Sequence, residues 1–159
     1  MSRPRILVAK TKLYKPIEEV FTFFSTAKNL REVTPPNLQF DILTPLPIEM
    51  QKGTLIDYRI QLSGIPMRWQ TLISAWEPPY RFVDEQLRGP YSLWRHEHTF
   101  EDKGDYVLMT DTVEYLSPGW VLEPIVHHLF VKHQVEGIFA FREKRFKELF
   151  PAPTSGVKG

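Results

Sequence analysis

Tyr91-Ser-Leu-Trp-Arg-His-Glu-His-Thr-Phe100 is the stretch on which the fold turns. Along a strand, successive side chains point to opposite faces. The even positions are Ser92, Trp94, His96, His98 and Phe100; the odd ones are Tyr91, Leu93, Arg95, Glu97 and Thr99. The even face carries the aromatics and the odd face carries Arg95 and Glu97, so the even face is expected inside. Two of the chain's five histidines then share one buried face. Gly89-Pro90, just before, reads as the turn that starts the strand.

The following strand, residues 105–116, is more apolar at Val107, Met109, Val113 and Tyr115 than at Tyr106, Leu108, Thr110, Thr112 and Glu114. Its apolar face nevertheless holds a carboxylate, Asp111, a local inconsistency of the kind a functional site produces. The link Asp102-Lys103-Gly104-Asp105 closes as a two-residue turn or a four-residue loop, and in both readings Glu101 pairs with Tyr106. That register sets His98 opposite Met109 and His96 opposite Asp111. A glycine bulge would shift it by one and bury Thr110, at the cost of exposing Met109 and Val113. A carboxylate beside an inward histidine raises the imidazole pKa and fixes its tautomer. In residues 81–87 the alternation does not choose a face: Phe82, Asp84 and Gln86 lie on one side, and Arg81, Val83, Glu85 and Leu87 on the other. If Phe82 points inward, Asp84 does too. The remaining inward sets are Ile56, Tyr58 and Ile60, then Met67, Trp69, Thr71 and Ile73.

Outward from these strands, residues 5–11 alternate as a first strand with Ile6, Val8 and Lys10 on one side. Pro16 suits the first turn of a helix whose apolar face is Ile17, Val20, Phe21, Phe23 and Phe24. Residues 27–33 read as a second short helix, stopped by Thr34-Pro35-Pro36. Strands are expected over 38–43, 54–62, 67–76, 81–87, 91–101 and 105–116, divided by glycine and proline turns. From about 124 to 150 the period changes to that of one long helix, with Arg142, Lys144, Arg145 and Lys147 toward its C-terminal end, where the dipole favours cations. Trp120, Val121 and Leu122 read as a hydrophobic staple for that helix, with a portal or membrane-touching loop as the second reading. The expected class is α+β: a curved antiparallel sheet whose apolar face only the last helix is long enough to cover. Residues 1–150 form one expected domain, and 151–159 a disordered tail.

The 159 residues are 42% hydrophobic and 25% charged, the make-up of an ordinary globular domain. Twenty basic against nineteen acidic residues leave no electrostatic footprint for nucleic acid, so the phenylalanine and arginine pattern of residues 139–146 reads as a helix with one core face and one solvated face. The absence of cysteine excludes disulfides and thiolate metal sites. No apolar run suits a signal peptide or a stable membrane insertion, and the expected location is cytoplasmic.

With these strands in place, the chain resembles the SRPBCC superfamily, the helix-grip proteins, and within it small bacterial members of cyclase/dehydrase-like type. The resemblance rests on Gly53 with Tyr58, Trp69, Pro78-Pro79, Phe82/Asp84/Gln86, Gly89-Pro90, Trp94/His96/His98/Phe100 and Asp111/Tyr115. It covers roughly residues 4–150. It implies a seven-stranded antiparallel sheet gripping the C-terminal helix, two short helices after the first strand, and a deep cavity between sheet and helix. It does not name the occupant, because one fold hosts many functions.

Three chemistries compete for the histidines. A metal site needs further ligands, for which Asp84, Asp111, His127, His128 or His133 are the candidates; the helix lacks a His-Glu-x-x-His pattern, and the expected assignment is no metal and no cofactor. Acid–base chemistry of the polyketide cyclase or dehydratase kind needs a base and an oxygen-directed donor. His96 or His98 would supply the base, Asp111 its orienting partner, and Tyr58 or Tyr115 the donor. Binding without chemistry asks least: a lipid, polyketide or similar hydrophobic molecule among Tyr58, Trp69, Phe82, Trp94, Phe100, Met109 and Tyr115, its polar end on Asp84, His96, His98 or Asp111. Binding is the leading expectation. The bland alternative is a filled core with a satisfied His96–Asp111 pair.

Overall fold

The computed structural model of the chain describes residues 3–62 and 64–154. In chain order it forms β1 (Arg5–Leu13), α1 (Ile17–Ser25), 3-10 turns at Ala27–Val33 and Pro36–Leu38, β2 (Asp41–Ile42), β3 (Leu55–Leu62), β4 (Ile65–Glu77), β5 (Arg81–Arg88), β6 (Leu93–Asp102) and β7 (Val107–Leu116). A 3-10 turn at Trp120–Leu122 leads into α2 (Glu123–Val126), a π turn at His127–Val131 and α3 (Lys132–Leu149). The seven strands make one sheet in the order β1-β7-β6-β5-β4-β3-β2, and every pairing is antiparallel.

Local chemistry explains the elements. α1 buries Ile17, Val20, Phe21 and Phe24, the spacing of one helical face, while Glu18 and Glu19 sit in its first turn, where the dipole favours anions. β6 and β7 alternate between buried and partly exposed along nearly their whole length. On β1 the inward residues are Leu7, Ala9, Thr11 and Leu13, so Ile6 and Val8 form the outer side of that strand. The expected strand over 38–43 shrinks to Asp41–Ile42, because Pro36–Leu38 closes a 3-10 turn and Gln39 leaves it in a left-handed conformation (φ 46°).

The β6–β7 hairpin corrects the expected register. It closes on a four-residue loop, 103–106, in which the Lys103 N–H donates to the Tyr106 carbonyl (2.9 Å) and the Gly104 N–H to Asp102 Oδ1 (2.9 Å). Gly104 supplies the positive φ, 89°, that this loop needs. Tyr106 therefore lies in the loop, its ring packed on Tyr14 (centroids 5.7 Å apart) and under the Lys12 ammonium (4.8 Å). Asp102 pairs with Val107, Phe100 with Met109, His98 with Asp111 and His96 with Val113. The register is displaced by two residues from the expected one. An even displacement keeps every side chain on its face, so the inward assignment of both strands survives.

α3 lies on the sheet through Val135, Phe139, Arg142 and Phe146. Two apolar clusters fill the space between them. One joins α1 to Phe82, Phe100, Met109 and Phe146; the other gathers Trp69, Tyr91, Trp94, Tyr115, Val135 and Phe139. Trp120, Val121 and Leu122 are exposed, so they do not staple the helix start. Of the expected tail, 151–154 has no regular secondary structure, and 155–159 lies outside the described residues.

Candidate ligand cavity

A polar layer separates the two apolar clusters, and β5, β6 and β7 build it. By backbone pairing, Asp84 faces His96 and Asp111 faces His98. The side chains bond along the diagonals instead. His96 Nε2 lies 2.6 Å from Asp111 Oδ1, and His98 Nε2 lies 2.6 Å from Asp84 Oδ2. The imidazoles stack on each other at 3.7 Å between centroids, and His98 stacks in turn on Phe82 at 4.1 Å. His98 Nδ1 is also 3.3 Å from Asp111 Oδ1, within ion-pair distance though out of hydrogen-bond alignment.

Arg142 reaches into this layer from α3. Its Nη2 sits 3.3 Å from Asp111 Oδ1, and its guanidinium covers the rings of Phe146 (5.0 Å) and Phe139 (5.6 Å). By sequence alone Arg142 falls among the cations toward the end of the helix. The signal that identifies it is its position: Val135, Phe139, Arg142 and Phe146 fall on one helical stripe, so an arginine occupies a core position and needs a buried anion.

Charge settles the protonation. Burial pushes the Asp111 carboxyl upward, but the Arg142 guanidinium and the two imidazoles hold it well below the usual carboxylate range. Asp84 is likewise held low against burial, chiefly by its bond to His98. Burial opposes a charged His98, yet its contacts with Asp111 and Asp84 override this and raise its pKa. His96 is lowered, by burial and then by the charge on His98. Stacked rings this close do not both carry a proton charge, and the pair titrates as a unit. With His98 protonated, the two carboxylates are balanced by one guanidinium and one imidazolium.

Above it lies a cavity of about 150 Å³. Tyr58, Trp69, Phe82, Asp84, Trp94, His96 and His98 all line it. Asp111, Phe100, Met109 and Tyr115 are not part of its wall. Asp111 lies behind the histidines, Phe100 and Met109 belong to the cluster under α1, and the Tyr115 hydroxyl bonds His127 Nε2 at 2.9 Å. Further wall residues come from the 3-10 turns (Ala27, Leu30 and Leu38), from the irregular segment before β3 (Met50) and from α3 (Ile138). No periodic signal marks turn residues as cavity walls. Tyr58 bonds Thr71 at 3.3 Å, and burial raises its hydroxyl pKa. An open cleft of about 640 Å³, with Arg31 and Arg59 on its rim, adjoins the cavity at Thr34 and Phe40.

Asp84, His96 and His98 also place one potential metal-ligating atom each within 4.8 Å of one another. His127, His128 and His133 do not belong to that group. Near-parallel rings aim their in-plane lone pairs side by side, which suits a stacked pair better than convergence on one ion, and Arg142 already supplies a cation.

A curved antiparallel sheet closed over a C-terminal helix, with a cavity between them, defines a helix-grip protein. Solved structures with the same architecture include the Zhui aromatase/cyclase from a Streptomyces species (TM-score 0.64, 12% identity, covering 97% of this chain and 99% of that one). Another is the major latex-like protein 151 of Panax ginseng (TM-score 0.66, 14% identity, 95% and 100%). A third is a Chromobacterium violaceum protein (TM-score 0.69, 12% identity, 94% and 100%). The chain thus has the helix-grip fold that its sequence pattern led one to expect. At these identities the likeness establishes the fold alone. No family model matches the sequence, and no curated protein matches it.

Proposed function

We propose that this protein binds a hydrophobic small molecule in the cavity between sheet and helix, with its polar end toward His96, His98 and Asp84. The carrying observation is a partly open hollow with mainly apolar walls and a mutually bonded polar floor. Such a pocket is the usual make-up of a small-molecule site. Its size sets a scale: about 150 Å³ is what a single benzene-sized ring fills. A longer ligand extends into the adjoining cleft. Native mass spectrometry of protein purified from its own source, with titration of a single-ring probe such as p-cresol, tests this reading. A co-purifying apolar ligand, or probe shifts at Trp69 and Trp94, supports it; a dry cavity that takes neither rejects it.

One observation favours a second reading, an enzyme of the cyclase or dehydratase type. His96 is the neutral member of the pair, and its Nδ1 makes no hydrogen bond among the described residues. With Nε2–H donating to Asp111, the Nδ1 lone pair is available to accept a proton from an acidic C–H of a bound carbonyl compound. Asp111 then orients the base without touching the ligand. Tyr58 remains as the oxygen-directed donor, and Tyr115 does not, because it lies outside the wall.

A further inference from the structure

Among the described residues, the start of the C-terminal helix carries a cluster of exposed apolar side chains unlike any other part of the surface. Trp120 is 80% exposed, Val121 71%, Phe130 68%, and Leu122, Ile125 and Leu129 57% each. Leu122, Ile125 and Leu129 fall at the spacing of one helical face. Glu123, Val126 and Val131 point the other way, toward the fold. Gly119 and Trp120 both have positive φ, 113° and 49°, a conformation that a bulky residue rarely adopts, and it leaves the indole in solvent. Scattered surface apolar residues need no explanation, but a contiguous patch of this kind marks an interaction surface.

We propose that this apolar tip docks on an anionic lipid surface. Charge selects that occupant. Between Leu116 and Gln134 the single carboxylate is Glu123, which is buried and ion-paired with Arg5, while Lys132, His128 and His133 are exposed around the apolar centre. Arg3 is exposed just before Arg5, at the same end of the sheet, and the first exposed carboxylate on the helix is Glu136, a turn beyond Lys132. An apolar centre with a cationic rim complements headgroups that are negative outside and acyl chains that are apolar beneath. A second copy of the chain meets it poorly, since a two-fold contact brings like-charged rims together. No helix among the described residues is long and apolar enough to cross a membrane, so the docking is peripheral.

This surface is independent of the cavity, and its test separates the two. Co-sedimentation of the full chain with phosphatidylcholine vesicles, with and without phosphatidylglycerol, reads the docking. Expected is binding to the anionic vesicles, a blue shift of Trp120 fluorescence, and a loss of about tenfold in affinity for each of two variants, Trp120→Ser/Phe130→Ser and Lys132→Glu. All three positions are exposed, so circular dichroism should confirm an intact fold. The proposal is overturned if neither vesicle binds, if either variant binds as the parent does, or if light scattering finds a dimer that the double variant dissolves.

Discussion

His96 and Asp111 are hydrogen-bonded at 2.6 Å although neither stands opposite the other in the sheet; His98 holds the place across from Asp111. The diagonal bond leaves Asp111 shared by an imidazole and the Arg142 guanidinium, and it leaves His98 to Asp84.

Asp111 is 1% exposed and Arg142 8%. Asp111→Asn should destabilise the fold by about 3 kcal/mol, because it strands a buried guanidinium. Adding Arg142→Met should recover part of that loss. Urea unfolding of both single variants and the double variant gives the coupling energy; additive effects would mean that the pair does not act as a unit.

The two histidines give opposite pH dependences. His98 is raised, so its stabilisation is fully present below its unfolded value of about 6.5 and is lost as pH rises through the folded value. His96 is lowered, so its contribution is present above about 6.5 and is lost as pH falls through its folded value. Asp84 and Asp111, both held low, lose theirs only in acid. Urea midpoints measured across pH should therefore peak near neutrality, and His98→Gln should flatten the alkaline side and, by removing the charge that lowers His96, soften the acid side as well. Histidine NMR titrations should show one imidazole protonated above pH 6.5 while the other stays neutral.

Ala27 lines the cavity from a short turn. Ala27→Leu should fill part of the hollow and weaken p-cresol binding by about tenfold, with a stability cost of about 1–3 kcal/mol from overpacking. Isothermal titration and urea unfolding measure both; undiminished binding would place the ligand elsewhere.

His96→Gln separates carrier from catalyst. In a carrier it changes the affinity for the ligand and, through the lost bond to Asp111, the stability, with no turnover to lose. In an enzyme it lowers kcat by about 10²–10⁴ with little change in KM, since a general base acts in the transition state. The readout is turnover of the natural ligand, once mass spectrometry has identified it.

Much of this site was legible as pattern. Trp94, His96 and His98 share a face by alternation, and Tyr58 with Trp69 follows by the same rule. Asp84 was ambiguous because both sides of its strand are mixed, and indeed Val83 on the opposite face is also buried. Two expectations fail for separate reasons. The β6–β7 register slipped by two because loop closure depends on hydrogen bonds of Lys103 and Gly104 that residue types do not specify. Apolar residues before a helix start ordinarily pack on it, but Trp120, Val121 and Leu122 turn outward.

Element order, and the buried face of β6 and β7, follow from local periodicity and turn chemistry and are legible in the residues alone. Who bonds whom is set by packing in three dimensions: the diagonal pairing of His96 with Asp111 and His98 with Asp84, and the arrival of Arg142 from a helix 31 residues away in the chain. A period of two residues fixes a face, but it is indifferent to an even slip in register. Side-chain reach then selects among the partners that the packed sheet and helix bring within a few ångströms.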